Sequence, residues 1–542
     1  MNDNYASAWE LIADRLGDQT AVVHGDRRLG WGDFDRRAAR LATALEGAGV
    51  GAGANVGLLT WNCPAYLEAT HAAFKLASTP VNLNFRYGAE ELAFVLEYAD
   101  VRALVFHGSL GPVVVQATNR LANPPSLIQV DDGSPPVHGS ESFEDLVAQS
   151  SPRPRCRGSG DDVFMVCTGG TTGRPKAVLW RHRDLAAWLA LLTYEVAGLS
   201  LPPDAPSAAH LAADARAAGM APVTLAACPL VHGTAFFFSI AALVLGGTVV
   251  LLSERSFRPQ EMWSAVEAEA ATQLVLVGDA MARPAVDVLD REASAGRPYD
   301  LTSLARVFSS GLVWSARAKA DMGRHCRATM IDMLGSSEGG PFAMDQVGPG
   351  EPSTTGRFRL TERGAVLTPD GSPVGVGQVG RLAIVEPLPI GYHKDPAATA
   401  ATFPTYGGRR HAVPGDLARL EEGGTVMLLG RGSACINTGG EKVYPDEVEE
   451  ALMAEPAVAD CVVVGVEDPH WGEVVTAVVA LVQGAEADED GLRAGIRGRL
   501  AAYKVPKRVV LVPRIQRKLA GKPDYQWARA VATPGTEWPV PL

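Results

Sequence analysis

Residues 168–176 read TGGTTGRPK, and the kind of loop they form decides the architecture around them. A phosphate-binding loop of the common NTPase type needs Gly, four residues and then Gly-Lys-Ser/Thr, so that its N–H groups lead straight into a helix N-terminus. Here Gly173 is followed by Arg174 and Pro175 before Lys176 arrives. The next residues, Ala177 to Trp180, are apolar and strand-like rather than helical. The stretch therefore predicts a loop between two strands.

Outward from this loop, short apolar strand candidates (NVGLLT at 55–60, ALVFHG at 103–108, TVVLLS at 248–253, TQLVLVG at 272–278) alternate with helical stretches such as DFDRRAARLATALEGAG and PAYLEATHAAFKLA. That alternation predicts βαβ units and a mostly parallel sheet, hence a large α/β N-terminal body. Residues 196–222, rich in Ala and Pro, read as an inserted surface excursion or lid. From about 350 to 430 the texture changes to short strands with Gly turns, which predicts a β-rich subdomain. A tail of roughly 110 residues begins near GRGSACINTGG and carries its own strand candidates, DCVVVGV and VVTAVVALV. The expected division is thus 1–430 and a small α+β C-terminal domain at 431–542.

A chain of 542 residues is well beyond the roughly 250–300 at which a single core stops growing, so several cores must coexist. Hydrophobic residues make up 47% and charged residues 20%, and no run approaches the length of a membrane span. The start, MNDNYASAWELIADRLGD, carries acids among its apolar residues and lacks a basic segment followed by an apolar core, so no signal peptide is expected and the location is read as cytoplasmic. The seven cysteines, at 63, 156, 167, 228, 326, 435 and 461, are scattered and never form a C-x-x-C pair. They are expected to be buried small residues rather than a disulfide framework or a zinc site. Net charge is −12 without a Lys/Arg block, which argues against nucleic acid but leaves a small anionic ligand open.

Downstream of TGGTTGRPK come MLGSSEGG (333–340), PGDLA (414–418), LGRGSACINTGGEKVYPDEVEE (429–450) and RKLAGKPDY (517–525), in that order. In this combination the chain resembles the adenylate-forming superfamily of acyl-CoA synthetases, luciferases and peptide-synthetase adenylation domains, essentially from end to end. The pattern GRGSxxINxGGEKVYPxEVE, with VGDAMARP (277–284) and GYHKDP (391–396), looks most like a bacterial branch of fatty-acid and steroid-acid CoA ligases. The resemblance implies ATP, Mg²⁺ and CoA as cofactors and a small-molecule carboxylic acid as substrate. In such a reaction the carboxylate attacks the α-phosphorus of ATP and expels pyrophosphate, so charge must be neutralised on both anions and on the leaving group.

Each motif then implies a role. Thr168, Gly169, Gly170, Thr171 and Thr172 suit the leaving pyrophosphate, with Lys176 as a point charge. Gly335, Ser336 and Ser337 match the nucleotide-binding motif, and Glu338 matches the carboxylate that holds Mg²⁺. Asp416 matches the acceptor of the two ribose hydroxyls and Arg431 the arginine that reaches ribose or phosphate. Lys522 matches the catalytic lysine of the mobile C-terminal domain. Gly439 and Gly440 lie where a pantetheine arm needs a passage free of side chains, with Lys442 beside them. His232 matches a gate between acid pocket and CoA tunnel, and the pocket itself is expected from His232, Gly233, Val277, Gly278, Ser309, Ser310, Gly311, Leu334 and Gly335. Ser433 and Asn437 replace the usual hinge Asp or Lys and a following Lys, and Ala177 the usual Gly.

The expected activity is ligation of a bulky hydrophobic acid to CoA. Loading of a carrier protein, or activation of nitrite for diazotisation of an aromatic amine, uses the same adenylation site and stays open at this point. A homodimer is one assembly left open.

Overall fold

In the computed structural model, strand Val163–Thr168 and strand Lys176–Arg181 pair antiparallel with Thr168 facing Lys176, so the quoted loop joins two strands. The structure describes residues 1–542 except 169–174, 196–197, 432–435, 439–440, 469–471, 498, 501, 518–522 and 534–542.

These two strands belong to an eight-stranded sheet. Its middle is a parallel run of Thr79–Asn82, Asn55–Leu59, Val101–His107 and Ser126–Val130. The strands near 55, 103, 248 and 272 and the helices Trp31–Gly47 and Pro64–Lys75 all form where alternation predicted them. Strand Asn55–Leu59 is buried on both faces, which is why it reads as an unbroken apolar run rather than as an alternating one.

A second sheet has fifteen strands and two textures. Its parallel part runs through Thr248–Leu251, Val223–Ala226, Gln273–Leu276, Arg306–Ser310 and Thr329–Ser336. At Ser336 the chain doubles back into Gly339–Val347, and from there the pairing is antiparallel through Arg357–Leu360, Thr425–Arg431, Asp416–Leu420 and Val379–Val385. The β-rich stretch of 350–430 is therefore a hydrogen-bonded continuation of the parallel sheet. It also closes over an apolar cluster of its own, including Phe342, Phe358, Leu382 and Val426.

The last sheet has five strands, with the long pair Val458–Asp468 and Gly472–Leu481 at its heart. One face packs on Val448, Leu452 and Leu492 from two helices, and the other on Trp527 and Ala528. Among the described residues no helix is long and apolar enough to cross a membrane.

Two expectations need correction. Part of 196–222 is not a surface lid but helix Ala205–Ala217, whose Ala205, Ala208, Ala209, Ala212 and Ala215 are buried. Asp204 caps it by accepting from Ser207 N at 2.9 Å, and it lies against helix Tyr5–Leu16 as part of the main core. Residues with no side chain beyond Cβ let two helices approach closely, so composition concealed a core element. Among the cysteines, Cys156 is exposed, whereas Cys63, Cys167, Cys228, Cys326 and Cys461 are buried; it sits in the irregular segment before Val163, which has no core to enter. Cys435 lies outside the described residues.

If the alanine seam is core, Ala212→Leu overpacks it and lowers unfolding stability by about 1–3 kcal/mol, read as a shift in denaturant midpoint. A surface lid would leave the midpoint unchanged.

Candidate active site

The turn between strands Thr329–Ser336 and Gly339–Val347 carries Ser337 and Glu338. Ser336 pairs with Gly339 across it, and Glu338 N donates to Ser336 Oγ at 3.2 Å. Below the turn, Asp332 and Asp345 face each other directly, an arrangement that would repel if left alone. The buried Lys319 ammonium resolves it, at 2.7 Å from Asp345 and 3.3 Å from Asp332. Burial pushes the Asp332 carboxyl up to about 7 despite that cation. The hairpin is thus pinned at its base.

Strand Lys176–Arg181 holds the tip from the other sheet. Trp180 Nε1 donates to Ser337 O at 3.0 Å. The two-residue strand Gly391–Tyr392 adds to the same strand's free edge, with Tyr392 opposite Val178. From there Tyr392 Oη donates to Glu338 Oε1 at 2.6 Å. Lys176 Nζ lies 5.1 Å from the Tyr392 ring centre and 3.9 Å from Asp395 Oδ2. Lys176 and Glu338, 162 residues apart in the sequence, therefore share Tyr392 as neighbour.

Glu338 fits Mg²⁺ in a particular way. Among the described residues no group of three or more His, Cys, Asp or Glu side chains could enclose a metal. A single carboxylate that shares Tyr392 with a lysine suits Mg²⁺, which takes one or two protein carboxylates and completes its shell with phosphates and water.

Several residues expected to line the acid pocket are neighbours in the structure. Ser309 is fully buried and its Oγ accepts from Gly278 N at 2.9 Å. Ser310 Oγ donates to Met333 O at 2.9 Å, tying Ser310–Gly311 to the strand that leads into Leu334 and Gly335. His232 precedes helix Gly233–Val244, and a small internal cavity opens at this helix start, lined by Val231, Gly233, Phe236, Phe237, Phe164 and Tyr66 among others. Phe164 stacks on Phe236 with ring centres 5.1 Å apart. The roomy cleft expected from glycines is, at this end, an aromatic cavity.

Asp416 and Arg431 face each other across adjacent strands. Gly430, beside Arg431, has φ +81°, and a Cβ there would stand 2.8 Å from Asp446 Oδ2. Burial, and then the Asp416 charge, push the Asp446 carboxyl upward. Gly169, Gly170, Thr171, Thr172, Ser433, Gly439, Gly440 and Lys522 lie outside the described residues, as do the side chains of Thr168, Arg431, Asn437 and Lys442.

Sequence reasoning missed Tyr392, Trp180, Lys319 and the aromatic lining. GYHKDP served only as a mark of resemblance, yet it supplies the phenol on Glu338. Gly278, in contrast, is where glycine is required. It has φ +51°, and a Cβ would stand 2.4 Å from Val313 O, whereas Gly311 has φ +92° in open surroundings. Gly278→Ala is therefore expected to cost about 2 kcal/mol or more and Gly311→Ala about 1 kcal/mol in chemical denaturation. Equal costs would show that the Val313 contact yields freely.

With the geometry in place, the comparisons fall into line. The AMP-binding enzyme family model matches residues 9–390, and the model of the AMP-binding enzyme C-terminal domain matches 447–522. The chain is 36% identical over 539 residues to a 3-oxocholest-4-en-26-oate–CoA ligase of Rhodococcus rhodochrous, covering 97% of this chain and 95% of that one. It is 37% identical to a medium/long-chain-fatty-acid–CoA/3-oxocholest-4-en-26-oate–CoA ligase of Mycolicibacterium smegmatis, covering 97% and 96%. Among solved structures, the anthranilate CoA ligase AuaEII with anthranoyl-AMP superimposes with a TM-score of 0.84 at 20% identity, covering 98% of both chains; at that identity the likeness concerns the fold. Matched along both segments and over nearly its whole length, the chain belongs to the AMP-binding enzyme family.

Proposed function

We propose that this protein is an ATP-dependent, AMP-forming ligase that joins a hydrophobic carboxylic acid to CoA. The observation that carries the reading is the meeting of Glu338, Tyr392 and Lys176 at the junction of the two large sheets. Full-length similarity to ligases named for steroid and fatty acids supports it.

In the first step the acid's carboxylate attacks the α-phosphorus and pyrophosphate leaves. Lys176, at the mouth of the Thr168–Lys176 loop, supplies fixed positive charge toward the leaving phosphates. Mg²⁺ at Glu338 would neutralise phosphate oxygens. Tyr392 keeps that carboxylate oriented, because its phenol occupies Oε1. Asp416 accepts from the ribose hydroxyls, with Arg431 across the strand from it. Lys522 is assigned to the attacking carboxylate and α-phosphate on its motif alone. In the second step the CoA thiol attacks the acyl carbonyl and displaces AMP, the pantetheine arm passing Gly439–Gly440.

The acid's apolar body is assigned to the side of helix Gly233–Val244, where a cavity with about 170 Å³ of empty space, lined mostly by aromatic and aliphatic groups with Asn82 and Tyr66 among them, holds at most the tip of such a body as it stands. Asn82 does not act as a substrate reader. Its amide donates to Cys167 O and Val231 O at 3.1 and 2.6 Å and accepts from Cys167 N at 2.6 Å. A hydrocarbon or aromatic acid suits such a surface. The proposal includes a boundary near 430, with 431–542 as a mobile domain; its support is that the five-stranded sheet has hydrophobic clusters of its own.

A pyrophosphate-exchange screen across straight-chain, aromatic and steroid acids, each with and without CoA, tests the reading. Exchange with a hydrophobic acid and thioester formation on adding CoA are expected; exchange without CoA consumption would overturn it. In that assay Lys522→Ala should lose exchange by several powers of ten, yet still convert supplied acyl-adenylate and CoA to thioester. Equal loss in both steps would remove Lys522 from its assigned role. Tyr392→Phe should raise the Mg²⁺ concentration at half-maximal rate by about ten- to hundredfold, the range of one hydrogen bond to a charged group, with the maximal rate less affected. An unchanged Mg²⁺ titration would place the metal away from Glu338.

A further inference from the structure

Helix Gly278–Ser294 grows out of the pocket wall. Its first residue donates to Ser309 Oγ, and its second, Asp279, donates from its N–H to Val313 O at 2.9 Å. Asp279 Oδ1 accepts from Ser315 N at 2.8 Å. One turn along, Arg283 Nε donates to Asp279 Oδ2, also at 2.8 Å. The other end of the guanidinium leaves the large body altogether: Nη1 donates to Ala459 O at 3.1 Å.

The acceptor is unusual. Strand Val458–Asp468 pairs with Gly472–Leu481, but the register slips between Val458 and Asp460. Ala459 is the extra residue of that bulge. A bulged residue is left out of the ladder, so its carbonyl is available to turn outward, and Arg283 is what it meets. Among the described residues a second charged contact between these parts is looser. Arg357 Nη1 lies 3.8 Å from Glu450 Oε1 with both side chains partly exposed, a separation and setting that contribute little. Arg283 has the better geometry, because Asp279 fixes the plane of its guanidinium before the C-terminal sheet arrives.

We infer that Arg283 is a positioning residue for the two-step reaction, a clasp that joins the acid-pocket wall at Gly278–Ser309 to the C-terminal sheet at the Ala459 bulge and favours the arrangement of the two in which it closes. The inference rests on the proposed two-step activity. On the proposed reading Lys522 serves one step and the Gly439–Gly440 passage the other, and the inference takes the C-terminal unit to change placement between them. A hydrogen bond made in one placement therefore acts on one step. A contact that merely stabilised the fold would act on both alike.

The test uses the full-length protein as wild type, Arg283→Met and Arg283→Lys. Pyrophosphate exchange is measured with decanoate and with 3-phenylpropionate. Thioester formation is measured separately from CoA and the corresponding synthetic acyl-adenylates. Arg283→Met, which keeps the length of the stem but has no donor, is expected to lower one half-reaction about tenfold, the loss of one charge-assisted hydrogen bond, and to leave the other within about twofold. Arg283→Lys can reach one acceptor but not both, so it should recover part of the loss, and both variants should melt within a few degrees of wild type. Equal losses in the two half-reactions, or no loss in either, would overturn the clasp. If the wild type exchanges pyrophosphate with neither acid, nor with any acid of the wider screen, the two-step reading falls and the clasp with it. If it exchanges normally and the variants show no split, only the clasp falls.

Discussion

Strand Lys176–Arg181 is the constraint on which the site depends. On one side it pairs with Val163–Thr168 and so fixes both ends of the TGGTTGRPK loop. On the other it accepts Gly391–Tyr392, a short strand lent by the antiparallel region. Its Trp180 also reaches the turn of the Ser336–Gly339 hairpin. Three distant segments thus take their positions from six residues. The strand can serve in this way because pairing on both edges leaves its backbone groups little freedom to choose other partners. The side chains that follow, Lys176, Tyr392 and Glu338, inherit that fixity.

The rest of the molecule isolates charge wherever a rigid element has to be anchored. Lys319 bridges the facing Asp332 and Asp345 under the hairpin. In the N-terminal body, buried Lys75 lies 2.5 Å from Glu10 and 2.6 Å from Asp35, and His71 Nε2 is 3.0 Å from the same Asp35 oxygen. Burial and the nearby Lys75 cation hold the His71 imidazole down to about 4, so it stays neutral in the company of that ammonium. Such groups contribute less through net attraction than through the cost of separating them once they are buried. They tie helices Tyr5–Leu16, Trp31–Gly47 and Pro64–Lys75 into one block.

Much of this was legible in the chain. Strand Asn55–Leu59 and helix Pro64–Lys75 follow from local alternation, and the order of the motifs is what singles out Glu338 and Asp416 as candidates. What local pattern could not carry was pairing at long range. Nothing about Gly391–Tyr392 marks a strand, because two residues have no period; only the free edge of Lys176–Arg181 makes them one. The Glu338–Tyr392 bond spans 54 residues and Arg283–Ala459 spans 176, distances over which composition is silent. The alanine helix is a different case. Its buried positions 205, 208, 209, 212 and 215 follow a helical spacing, but the prolines before it and the small size of alanine made the segment read as a surface excursion.

One consequence follows from the solitary position of Glu338 at its hairpin tip. A site with a single hard oxygen donor, and no enclosing cluster among the described residues, has little affinity for a bare hydrated magnesium ion, which gives up its water reluctantly. On the proposed reading, in which Glu338 meets Mg²⁺, the ion would arrive already carried by the triphosphate and depart with the pyrophosphate. A chelator would then act first on the supply of metal-loaded nucleotide and only through it on the turn that carries Glu338.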